Sequence, residues 1–139
     1  MVKNNPLRFD VEDIPDEDEV FRNVHVNLLR NWAFPDKIPP NVFMSDEDGM
    51  SCDWAKYSTP QMTQERARCP EKNGVIQMNV GATRSIKFGE SALDVKHDPI
   101  EHPQPNRAHS LVIGIHPPNK AKIRSKLQEI AQWILSPLI

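Results

Sequence analysis

Residues 109–134 read HSLVIGIHPPNKAKIRSKLQEIAQWI, and their pattern changes once along the way. Leu111 to Ile115, LVIGI, is the most apolar run of the chain and is predicted to be a central strand. Pro117-Pro118-Asn119 stops that strand and starts a helix, because proline removes an N–H donor and asparagine suits a helix start. Ile123, Leu127, Ile130 and Ile134 then follow at spacings of four, three and four, a single helical stripe. Lys120, Lys122, Arg124 and Lys126 occupy the remaining surface. A strand followed by an amphipathic helix that must cover something apolar points to an α+β fold with the last helix packed on a sheet.

Working outward, the rest of the chain supplies the sheet. Ile76, Met78 and Val80 alternate with Gln77 and Asn79, the period of a half-buried strand. Ser85 to Phe88 and Leu93 to His97 are shorter strand candidates. Residues 41–57 read as a hairpin, with Val42-Phe43-Met44 and Met50-Ser51-Cys52 flanking Asp46-Glu47-Asp48-Gly49. Residues 16–32 fit a helix, with acids ahead of Val20, Phe21, Val24 and Leu28 on one face, but Val24, Val26 and Leu28 alternate with His25 and Asn27 and favour a strand around residues 23–30. Between these, Ser58-Thr59-Pro60 opens a helix over residues 59–68 that Pro70 closes. The expected architecture is about five short, mostly antiparallel strands, one mid-chain helix and a C-terminal helix in a single domain over residues 20–139.

Residues 1–19 read as an acidic N-terminal tail, with Asp10, Glu12, Asp13, Asp16, Glu17, Asp18 and Glu19 dominating it. Leu7, Phe9 and Val11 alternate with charged residues inside it, as in a short extended segment that adds to a sheet edge. The charge is segregated: residues 1–60 carry 12 acids and 6 bases, residues 61–139 carry 7 acids and 11 bases. Such a chain can fold against itself or offer two differently charged faces.

Composition narrows the function classes. Thirteen prolines in 139 residues make the connections stiff. Two cysteines, Cys52 and Cys69, form neither a metal motif nor a disulfide framework. No secretory leader is read after Met1 and no apolar run approaches the ~20 residues of a membrane helix, so a cytoplasmic protein without membrane contact is expected. The basic face of the last helix allows nucleic acid as a partner, but the aromatic interleaving of a single-strand binder is missing.

Chemistry concentrates in residues 97–110, HDPIEHPQPNRAHS, which hold three of the five histidines. A metal site would use His97, Asp98, Glu101, His102 and His109, but Pro99, Pro103 and Pro105 forbid the helix on which such spacing converges. A catalytic set would use His97, Arg107 and His109: a stiff loop between neighbouring strands brings two imidazoles to one sheet edge, and Arg107 holds a phosphate. The plain alternative is a rigid connection whose histidines bond to backbone carbonyls. The chain order Arg30, Ser51, Glu90 also matches the basic residue, strand serine and glutamate of ADP-ribosyl transfer enzymes, an order almost any chain of this length satisfies.

Two functional expectations follow. The first is a protein-interaction module, docking on a protein partner through the acidic segment and the last helix, with no cofactor and no metal. The second is a phosphodiester or nucleotide hydrolase built on His97, Arg107 and His109.

Overall fold

The structure is a computed structural model and describes residues 9–34, 37–116 and 119–137. Eight strands and three helices follow one another: β1 (Glu19–His25), β2 (Met50–Trp54), α1 (Pro60–Glu65), β3 (Asn73–Asn79), α2 (Val80–Arg84), β4 (Lys87–Phe88), β5 (Ser91–Ala92), β6 (Asp94–His97), β7 (His109–Ile113), α3 (Lys120–Ile130) and β8 (Gln132–Leu135). Six strands form one antiparallel sheet in the order β6-β7-β2-β1-β3-β8, and β4-β5 is a separate ribbon. The α+β class, the antiparallel sheet and the C-terminal helix are as the sequence pattern implies; the main sheet has six strands rather than about five.

The sheet has two unlike faces. Val20 and Val24, Met50, Cys52 and Trp54, Ile76 and Met78, Val95 and Val112 leave one face and are all buried. Ile123 and Leu127 of α3, Val80 of α2, and Ile38, Val42 and Phe43 of the segment before β2 close over them into one cluster. Burying side chains of this size contributes about 1.5–3 kcal/mol each, so this layer is the main source of stability. On the other face, α1 packs on β1, β3 and β8. Its Thr63 reaches Asp53 of β2, and beyond it the face over Ser51, His109, Leu111 and Lys96 is open, these residues being exposed or half-buried.

Several boundaries differ from the sequence reading, each for a local reason. β1 starts at Glu19, earlier than residue 23, and gives way to a 3-10 turn at Val26–Leu29, which His25 caps by accepting from Asn27 N at 3.0 Å. The expected hairpin is not formed: Pro40–Val42 is a 3-10 turn, and the partners of β2 are β1 and β7. Only Asp46 and Gly49 pair, with Gly49 at φ +135°, where a side chain is strained and a Cβ would lie 2.9 Å from Val112 O. The strand read through Val80 ends at Asn79, whose side chain accepts from Ala82 N at 2.8 Å and opens α2. The helix read through Ile134 ends at Ile130, because Gln132–Leu135 instead satisfies the free edge of β3. Gly74 makes that pairing possible: a Cβ there would stand 2.7 Å from Leu135 O. LVIGI lies one strand in from the β6 edge, half-buried in alternation, and is not the centre of the sheet. Helix α1 is capped as expected, Thr59 Oγ1 accepting from Met62 N at 3.1 Å, and is shorter than expected. Of the proline pair before α3, Pro117 and Pro118 lie outside the described residues; Asn119 precedes the helix without a side-chain cap bond.

The acidic segment is tied to the body at several points. Ile14 joins the core. Arg84 donates to Ile14 O at 2.6 Å and pairs with Asp16 and Asp94 at 2.7 and 3.0 Å. Lys56 meets Glu12 at 2.5 Å, and Phe9 N donates to Glu101 at 2.8 Å. The acidic segment therefore meets Arg84 and Lys56; Arg124 of α3 donates instead to Phe43 O at 2.9 Å.

Candidate active site

The antiparallel ladders set which histidines can meet. In the β6–β7 ladder His97 stands opposite Ser110, and Asp98 N donates to His109 O at 2.8 Å. His97 and His109 are thus out of step by one residue. Since side chains alternate across a sheet, His97 goes into the core face and His109 onto the open face.

On the core face His97 is a structural tie. Its Nε2 donates to Arg107 O at 2.6 Å and its Nδ1 accepts from Glu12 N at 3.0 Å. Its ring lies edge-on to Trp54, centroids 5.1 Å apart, and stacks on Tyr57 at 6.1 Å. The Arg107 guanidinium sits 4.1 Å from the Tyr57 ring centroid and 5.9 Å from that of Phe9. Glu12 accepts from Lys56 and from the Tyr57 hydroxyl, and these two bonds hold its carboxyl below the usual carboxylate range. His97 therefore meets the Arg107 carbonyl around the N-terminal segment, and the two imidazoles expected at one sheet edge lie on opposite faces.

On the open face β2 and β7 pair Asp53 with His109 and Ser51 with Leu111, so Ser51 is the diagonal neighbour of His109. His109 Nε2 lies 3.2 Å from Ser51 Oγ. His109 Nδ1 lies 2.9 Å from Asp98 O and 3.2 Å from an Asp98 carboxylate oxygen. Both partners of Nδ1 are pure acceptors, so Nδ1 carries the hydrogen. The lone pair of the neutral ring is then on Nε2 and faces the Ser51 hydroxyl. A base on β7, an exposed hydroxyl on β2 and the orienting acceptors of the residue just after β6 thus adjoin one another.

A cavity of about 200 Å³ opens beside this group, bordered by Ser51, His109, Asp53, Arg66 and Asn106 among others. Its floor is a closed network. Asp53 is buried and accepts from Thr63 Oγ1 at 2.9 Å, Arg66 Nη1 at 2.8 Å and Asn106 Nδ2 at 2.9 Å. Asn106 also closes the proline-rich loop, exchanging backbone bonds with Ile100 at 2.8 and 3.0 Å. Arg22 fills the gap where β1 and β2 part, donating to Val42 O at 3.0 Å, Ser51 O at 2.5 Å and Met44 O at 3.3 Å. Cys52, which turns inward from the same strand as Ser51, is buried, and burial pushes its thiol up to about 12. Among the described residues no three His, Cys, Asp or Glu side chains gather as a metal site, and no helix is long and apolar enough to cross a membrane.

The sequence reading names His109 as a candidate catalytic residue and sets Asp98 beside it only as a metal ligand. Ser51 enters that reading as a hairpin-strand residue and as the serine of the Arg30, Ser51, Glu90 order, and not as a partner of His109. The only sequence signal of Ser51 and Asp98 is even spacing along strands whose pairing was unknown. No family model matches the chain, and no curated protein and no solved structure shows significant similarity to it.

Proposed function

We propose that the protein is a hydrolase that cleaves small esters, with Ser51 as nucleophile, His109 as general base and acid, and Asp98 as the group that orients the ring. One observation carries this reading: both acceptors on His109 Nδ1 belong to Asp98, which leaves the Nε2 lone pair facing Ser51 Oγ at 3.2 Å. A separation at the long end of hydrogen-bond reach is usual before substrate binds.

In the first step Ser51 Oγ bonds to the ester carbonyl carbon while its proton passes to His109 Nε2. The adduct collapses, the bond to the leaving alcohol breaks, and that oxygen takes the proton back from Nε2. Water, deprotonated by the same nitrogen, then releases the acid and restores the serine hydroxyl. Arg66 borders the cavity in which negative charge develops on the carbonyl oxygen, where positive charge has most effect. This reading differs from the expected phosphodiester or nucleotide hydrolase in both reaction and residues: it keeps His109 alone, since His97 and Arg107 are occupied on the other face. Docking through the acidic segment draws no support from residues 9–18, whose Glu12, Ile14 and Asp16 are engaged within the chain.

The test is hydrolysis of p-nitrophenyl acetate together with intact-mass detection of a fluorophosphonate adduct. Wild type should turn over the ester and gain one adduct, and Ser51→Ala should do neither while keeping its thermal transition. Equal turnover by Ser51→Ala, or an adduct mapped to another residue, overturns the reading.

A further inference from the structure

We infer that the same cavity selects substrates bearing a small oxyanion group, a carboxylate or a phosphate, through the free edge of Arg66; this substrate class rests on the hydrolase reading above. Arg66 follows α1, and its Nη1 is committed to Asp53 at 2.8 Å and to Ser58 Oγ at 3.0 Å. Among the described residues its Nε and Nη2 make no hydrogen bond. A guanidinium fixed at one corner, with its other donors unspent, is prearranged for two parallel bonds to an oxyanion. Thr63, Ser58 and Asn106 hold the Asp53–Arg66 pair in place, so little side-chain freedom is lost when an anion arrives.

Size agrees with this, and of the cavity's lining Arg66 supplies the side-chain cation, paired at one corner with Asp53. The volume of about 200 Å³ is below the 300–1,000 Å³ usual for drug-sized ligands. The fit is to a short half-ester, with the anion on Arg66 and the scissile bond at Ser51.

The experiment separates this substrate class from the catalytic reading. Succinate and inorganic phosphate are titrated separately into wild type and Ser51→Ala while the amide signals of Thr63 and Asn106 are followed by NMR. One or both anions should move these signals in both proteins. Arg66→Gln should abolish the shifts, and Arg66→Lys, which keeps a cation beside Asp53, should weaken binding about tenfold to hundredfold, the range for charge-assisted hydrogen bonds. A dispersed amide spectrum of Arg66→Lys verifies its fold. In parallel, p-nitrophenyl hemisuccinate should be preferred over p-nitrophenyl acetate by wild type and not by Arg66→Lys. Anion shifts without any Ser51-dependent hydrolysis would leave the anion site standing and defeat the catalytic reading. No shift with either anion, or equal binding by a folded Arg66→Lys, would defeat the inference itself.

Discussion

His97 and His109 leave the β6–β7 ladder on opposite faces of the sheet, because His97 pairs with Ser110. That single step of register separates two jobs. His97 ties the N-terminal segment to the core through Glu12 N and Arg107 O, and His109 is left beside the open cavity with Ser51.

The two orienting acceptors on His109 are unequal in what mutation can remove. Asp98→Ala deletes the carboxylate but keeps Asp98 O, which alone lies 2.9 Å from Nδ1 and still enforces the tautomer. We expect Asp98→Ala to lower kcat by about tenfold, against about 10²–10⁴-fold for His109→Ala. The double variant Ser51→Ala with His109→Ala should be no worse than Ser51→Ala alone, since the two act as a unit. Steady-state kinetics on one ester substrate measures all three.

The N-terminal segment offers a contrast over three residues. Ile14 is 3% exposed and packs in the core, whereas Val11 is 73% exposed. Ile14→Ala should cost about 2–4 kcal/mol, the range for truncating a buried isoleucine. Val11→Ala should stay within about 0.5 kcal/mol. Urea unfolding of both variants checks the difference, and equal midpoints would show that the segment is not part of the core.

Glu12 should make stability acid-sensitive. Its bonds from Lys56 and Tyr57 lower its folded pKa below the ordinary value of 4.5, so its contribution is present above that value. It is lost as pH falls through the lower, folded value. Thermal transitions of wild type and Glu12→Gln, measured from pH 7 downward, should converge at the acid end. A gap that stays constant with pH would contradict the assignment.

Cys52 and Cys69 should differ in reactivity. Cys52 is buried with its thiol pushed up from 9.0 to about 12, and Cys69 is half-buried. The thiolate is the reactive form, so native protein at pH 8 should show one thiol accessible to a disulfide reagent, and unfolded protein two. A raised folded pKa means that the stability tied to the protonated thiol is intact below 9 and declines as pH rises toward 12. The alkaline loss of stability should accordingly be shallower in Cys52→Ala than in wild type.

What the amino-acid order determined by itself is local. Alternation in Ile76-Gln77-Met78 marked β3, the spacing of Ile123, Leu127 and Ile130 marked α3, and Thr59-Pro60 marked the start of α1; each depends on residues within a turn or two of one another. These sufficed for the α+β class and an antiparallel sheet. The limits of β1, the loss of the hairpin and the existence of β8 were set by which backbone edges found partners, as when Gln132–Leu135 left the helical stripe to pair with β3 beside Gly74. The candidate site belongs wholly to this second kind. Ser51, Asp98 and His109 are brought together by two ladders, β2–β7 and β6–β7. Strand register is a long-range property: it follows from burying one face of every strand at once, and a shift of one residue would turn His109 into the core and His97 to the cavity.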